Sequence, residues 1–130
     1  MNILIVDDNF ASRRLLRAYL KGYGECYLAS NGQEAIELFK EKTEGEPFFD
    51  LICLDIMMPA VDGHEVLQSI REIERSINIV EENQVKIIIC SALDDRNDVV
   101  KSFDYGASAY LVKPIEVGHL KNALLELGIS

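Results

Sequence analysis

Five short apolar runs alternate with stretches whose apolar residues recur at helical spacing, and this alternation most narrows the fold. The runs are Asn2–Val6, Glu25–Ala29, Leu51–Leu54, residues 85–90 and residues 108–112. Between them lie Ala11, Leu15, Leu16, Tyr19 and Leu20; then Ala35, Ile36 and Phe39; then Val66, Leu67, Ile70, Ile73 and Ile77. Two further stripes follow, Val99, Val100 and Phe103, and last Val117, Leu120, Leu124 and Leu127. Turn and cap residues punctuate the pattern. Asp8 or Asn9 opens the first helix, Gly22 and Gly24 close it, and Asn31 with Glu34 forms a capping pair for the second. Asp94 or Asp95 begins the fourth helix, Gly106 stops it, and Gly128 closes the fifth. Residues 76–84 mix apolar and acidic side chains with no clear breaker.

Strands alternating with helices predict a parallel sheet covered on both faces, an α/β fold. Right-handed crossovers leave few windings. The flavodoxin-like (βα)5 doubly wound sheet, order 2-1-3-4-5, is one of the two common ones, and it sets strands 1 and 3 side by side. At 130 residues the chain is one domain, spanning residues 1–130.

The third run is buried in character and ends on Asp55, and Pro59 halts regular structure within four residues. Taken alone, Asp55 reads equally well as a turn former. The strand order changes that balance. It brings Asp7 and Asp8, which follow the first strand, beside Asp55, with Ser91 and Lys113 ending strands 4 and 5 at the same edge. Ligands of open parallel sheets bind at that edge.

Three carboxylates in one crevice repel. Two charges about 4 Å apart cost roughly 4 kcal/mol at an effective dielectric near 20. A hard divalent cation offsets that cost, and an oxygen donor set favours Mg2+, with Mn2+ as the alternative. Asp55 is then the nucleophile of a phosphoryl transfer that yields an aspartyl phosphate. Lys113 and the Ser91 hydroxyl are placed to stabilise the transferred group.

The same residues carry a family resemblance along essentially the whole chain: Val6-Asp7-Asp8, Asp55-Ile56-Met57-Met58-Pro59 with Asp62-Gly63, Ser91-Ala92 and Lys113-Pro114. The sequence resembles the response-regulator receiver domain, the phosphoacceptor of two-component and phosphorelay signalling. The resemblance implies that Asp55 is phosphorylated. It implies that Asp8, Asp55 and the Met57 backbone carbonyl ligate Mg2+, with Asp7 acting through water. Ser91 and Lys113 would hold phosphoryl oxygens, and Ser91 with Tyr110 would form the switch that remodels the face of helix 4, strand 5 and helix 5. The implied partners are a sensor histidine kinase or histidine phosphotransfer protein upstream and a protein target at that face, which also serves phosphorylation-dependent homodimers. The Lys113–Pro114 bond is expected to be cis. Met57 and Leu93 occupy positions that tune dephosphorylation in the family. Such a domain is a signalling module, not an enzyme, and catalyses only its own phosphorylation and dephosphorylation. The stretch from Gly63 to strand 4 is longer than the family pattern, as an extended helix or a longer loop.

Composition sets the competing classes. A net charge of −9 argues against direct contact with nucleic acid, which needs surplus Lys and Arg. No apolar run spans a membrane and no signal peptide opens the chain, which points to the cytoplasm. Cys26, Cys53 and Cys90 each fall in a strand without metal-ligand spacing and read as buried, reduced thiols. The chain ends three residues after Leu127, so an output through protein contacts or a relay is expected. The leading alternative is a Mg-dependent phosphatase with an aspartyl-phosphate intermediate; such enzymes place a second Asp where this chain has Met57. A flavin carrier of the same fold needs a phosphate loop where Asp7, Asp8 and Asn9 stand. His64 and His119 read as ordinary surface or helix-end residues. Arg13, Arg14, Arg17 and Lys21 form a basic face on the first helix, either simply solvated or part of a kinase-docking surface.

Overall fold

The structure, a computed structural model, describes residues 1–130. Five parallel strands, β1 (Asn2–Val6), β2 (Glu25–Ala29), β3 (Leu51–Leu54), β4 (Lys86–Ser91) and β5 (Ala109–Val112), form one sheet in the order β2-β1-β3-β4-β5. Five helices connect them: α1 (Phe10–Leu20), α2 (Gly32–Lys42), α3 (Gly63–Ser76), α4 (Arg96–Asp104) and α5 (Val117–Glu126). The expected winding is the one observed. Strand β3 is buried at every position, as its unbroken apolar run requires, and pairs with β1 from Ile3↔Leu51 to Val6↔Leu54. That register brings the two chain exits, Asp7 and Asp55, level with each other.

Alternate residues of each strand feed two cores. Leu4, Val6, Ile52, Leu54, Ile87 and Ile89 join Phe39 of α2 and Val66, Leu67 and Ile70 of α3. Ile3, Ile5, Leu51, Cys53, Ile88 and Cys90 join Leu16 and Leu20 of α1 and Leu120 and Leu124 of α5. Cys53 and Cys90 are buried free thiols, whereas Cys26, on the edge strand β2, is only partly covered.

Side-chain caps start four helices. Asn9, Asn31, Asp62 and Asp95 each accept a backbone N–H of the first turn of α1, α2, α3 and α4. The Glu34 carboxylate turns to Ser30, accepting from its N–H and hydroxyl, instead of closing a reciprocal box with Asn31. The breaker missing from the sequence reading of residues 76–84 is Asn78. Its φ of 60° lies in the left-handed region that Asn tolerates, and Ile79 N–H donates back to Glu74 O at 3.0 Å while Asn78 N–H donates to Arg75 O at 3.1 Å. Ile77 therefore falls outside α3, and the extra length forms a loop with one 3-10 turn at Glu81–Asn83.

Several residues of the helical stripes are not buried. Ala11 and Leu15 of α1 are exposed, as is Val117 at the start of α5. In α4 the whole expected stripe fails: Val99 is half-buried, Val100 and Phe103 are exposed, and Ser102 is the one buried residue. Helical spacing locates an apolar face, but here most of that face is left uncovered.

Candidate functional site

Residues from four strand ends meet at the carboxyl edge of the sheet. Asp7 leaves β1 fully buried, and Asp55 leaves β3 nearly so. Asp8, next to Asp7, is exposed, and a carboxylate oxygen from each of the three lies within 4.8 Å of the others. Backbone amides orient two of them: Asn9 N–H donates to Asp7 Oδ1 and Met57 N–H to Asp55 Oδ1, both at 2.9 Å. The Arg13 guanidinium donates to the Asp7 backbone carbonyl at 2.7 Å, a contact the sequence did not announce.

Lys113 follows β5, yet its ammonium reaches Asp7 Oδ2 at 2.6 Å and Asp55 Oδ2 at 3.3 Å. Burial opposes the Lys113 charge, but the two carboxylates outweigh it and hold its pKa above the ordinary value. Burial likewise pushes the Asp55 carboxyl up; the Met57 amide and Lys113 pull it down, and the Asp7 charge adds to the push. One lysine leaves excess negative charge on hard oxygen donors, a set suited to Mg2+.

Gly63 fixes the loop after Asp55. Its N–H donates to Ile56 O at 3.2 Å, and a Cβ there would collide with the Asp55 carbonyl oxygen and with Ile56. Only glycine lets α3 begin this close to the strand exit. Lys113–Pro114 is cis, as expected.

Ser91 is the last residue of β4, fully buried, and its Oγ accepts the Leu93 N–H at 3.2 Å. Tyr110 packs its ring against the core and donates its hydroxyl to the Leu93 carbonyl at 2.6 Å. Burial raises the Tyr110 pKa. Leu93 thus donates its N–H to Ser91 and accepts at its carbonyl from Tyr110, which ties the two side chains together through the β4–α4 loop. Met57 is half-exposed at the mouth of the site.

Comparisons with known proteins identify the family. The model of the response regulator receiver domain matches residues 3–125. This chain belongs to that family. Among curated relatives, the transcriptional regulatory protein SrrA of Staphylococcus aureus is 40% identical over 113 residues, covering 86% of this chain and 41% of SrrA. The chain spans less than half the length of the curated relatives it matches. Among solved structures, the receiver domain of the histidine kinase CKI1 from Arabidopsis thaliana, complexed with Mg2+ and BeF3−, aligns with a TM-score of 0.84. It is 30% identical and covers 98% of this chain and 89% of that one. The Saccharomyces cerevisiae receiver domain of Ssk1, co-crystallised with the phosphotransfer protein Ypd1, gives a TM-score of 0.82 at 29% identity, covering 98% and 88%. As a receiver domain of two-component signalling, the chain fits the signalling reading and not the phosphatase alternative.

The two histidines sit in different surroundings. His119 is exposed, 3.9 Å from Glu116, as a surface residue should be. His64 is a helix-end residue, second in α3, but it is half-buried: its Nε2 lies 2.8 Å from the Ser102 hydroxyl, and its ring meets the Tyr105 ring edge-on at 5.5 Å. Behind it, Arg71 and Glu74 form a buried pair at 2.7 Å. Arg71 also donates to the Gly106 carbonyl at 2.8 and 3.1 Å, and Glu74 accepts the Val85 N–H at 2.7 Å. Spacing of i, i+3 within a helix gives no sign that such a pair faces inward.

Proposed function

We propose that this chain is a single receiver domain over residues 1–130 that accepts a phosphoryl group on Asp55. The observation that carries this is the convergence of Asp7, Asp8 and Asp55 within 4.8 Å, with Lys113 bridging Asp7 and Asp55. Asp8, Asp55 and the Met57 carbonyl would hold Mg2+, with Asp7 through water and Mn2+ as a substitute. Bound there, the cation neutralises charge on the phosphoryl oxygens. An Asp55 carboxylate oxygen forms a bond to phosphorus as the bond from phosphorus to the donor breaks, and the electron pair leaves with the donor. Lys113 exchanges part of its contact with Asp7 and Asp55 for a phosphoryl oxygen. Ser91 supplies a hydroxyl to another oxygen, drawing on Leu93 and through it on Tyr110. The readout is the α4–β5–α5 face, where Val100, Phe103 and Val112 are exposed, for a protein target or a second copy of the domain.

The donor is a sensor histidine kinase or a histidine phosphotransfer protein. The α1 end of the site suits that docking: Phe10 is 63% exposed with Arg13 and Arg14 over its ring, and exposed Leu15 borders a cleft of about 370 Å3 reaching Lys113 and Pro114. An apolar centre ringed by cations fits an acidic-rimmed partner surface. The domain acts in the cytoplasm and has no turnover beyond its own phosphorylation and dephosphorylation; no helix is long and apolar enough to cross a membrane.

Intact mass after incubation with acetyl phosphate and Mg2+ tests the reading. One added phosphoryl group is expected, absent in Asp55→Asn and after chelation. An adduct that persists in Asp55→Asn would overturn the assignment.

A further inference from the structure

Helix α4 is held to its neighbours by little apolar burial, so its few polar ties decide where it sits. One of them starts at the phosphorylation loop. Gly63 is hydrogen-bonded to Ile56, the residue after Asp55, and cannot move away without opening that bond. The next residue is His64, whose Nε2 lies 2.8 Å from Ser102 Oγ, in the last turn of α4. Ser102 is fully buried and already donates its hydroxyl hydrogen to Asp98 O at 2.8 Å, so Nε2 carries the hydrogen and donates to Oγ. The ring of His64 is further fixed by its edge contact with Tyr105 at the end of α4.

We propose that His64 is a positioning residue. It couples the Asp55 loop to the last turn of α4 by a path separate from Ser91 and Tyr110. The two paths grip different parts of the same helix. Ser91 and Tyr110 hold Leu93, three residues before Arg96 opens α4, whereas His64 holds Ser102 two turns further on. When Ser91 reaches toward a phosphoryl oxygen it draws Leu93 and the start of α4 with it. The His64–Ser102 bond resists that motion by anchoring the helix to α3. It therefore sets how far the α4 face responds to a given occupancy of Asp55. The inference rests on Asp55 being the phosphoacceptor.

The test uses the full chain with beryllofluoride and Mg2+ as the phosphoryl mimic. Wild type, His64→Leu, His64→Gln, Ser102→Ala and the His64→Leu/Ser102→Ala double variant are compared. Two quantities are read: mimic affinity, and amide exchange along α4 with and without it. Removing one neutral hydrogen bond is expected to tighten mimic binding by about threefold to tenfold in His64→Leu and Ser102→Ala alike. The double variant should add nothing to either single change, since both remove the same bond. His64→Gln retains an N–H donor and should stay close to wild type. A merely structural histidine would lower the melting temperature without this pattern. Ser102→Ala breaks the bond from the α4 side and decides the matter should His64→Leu not fold. Unchanged or weakened mimic affinity in the variants, or additive effects in the double, would overturn the coupling alone. A wild type that shows no response to the mimic would overturn the phosphoacceptor reading and the coupling with it.

Discussion

Helices α3 and α4 lie on the same side of the sheet, and each has an Asp N-cap and a left-handed residue just past its end, Asn78 and Gly106. Their attachment differs sharply. Helix α3 buries Gly63, Val66, Leu67, Ile70, Arg71 and Glu74, whereas α4 buries Ser102 alone. A fully buried aliphatic side chain stabilises by about 1.5–3 kcal/mol, against roughly 0.5–1.5 kcal/mol net for a hydrogen bond. Helix α3 is thus a platform that keeps the Asp55 loop in place. Helix α4 hangs on Tyr110–Leu93, His64–Ser102 and Arg71–Gly106, contacts that break one at a time. Under the proposed function, the first suits a site that stays fixed and the second a face that shifts.

The largest expected effect comes where the platform meets the hanging helix. Arg71→Ala leaves the Glu74 charge buried beside Val85 and should destabilise by about 3–5 kcal/mol in urea unfolding, while Arg71→Met with Glu74→Leu should recover most of that loss. If the single change is mild, the pair does not bind α3 to the Gly106 turn. Next, Leu67→Ala in α3 should cost about 2–5 kcal/mol, and Val100→Ala in α4 no more than about 0.5 kcal/mol. Similar losses at the two positions would erase the contrast. The smallest effect concerns pH. Burial first, then the Asp7 charge, raises the Asp55 pKa in the folded state, so the folded protein holds that proton more tightly than the unfolded chain. From the ordinary carboxylate value up to the raised one, stability should fall as pH rises without divalent cation, and Asp55→Asn should flatten the fall. Amide exchange over that range should quicken in α4 before α3, and the reverse order would count against the contrast.

Much of this was legible in the chain. Unbroken apolar runs such as Ile52-Cys53-Leu54 admit a doubly covered strand and little else, and the polar residues at their ends follow once the winding is chosen. The hidden parts depend on contacts between distant residues. Val99, Val100 and Phe103 have helical spacing, but periodicity does not say whether a stripe faces a sheet or solvent. Arg71 and Glu74 look like a surface pair until Gly106 O and Val85 N–H are seen to complete them. His64 gained a role only when the fold set it against Ser102, 38 positions away. Asn78 ends α3 without Gly or Pro, because Asn tolerates the left-handed backbone that the stop requires.

The shortest ion pair of the site joins Asp7 to Lys113, 106 positions apart along the chain. A ribosome must therefore deliver nearly all of the domain before that lysine can meet its carboxylate. Until then the exits of the first and third strands carry their acids without the Lys113 ammonium, so the charge balance of the site is completed only as the last strand takes its place during synthesis.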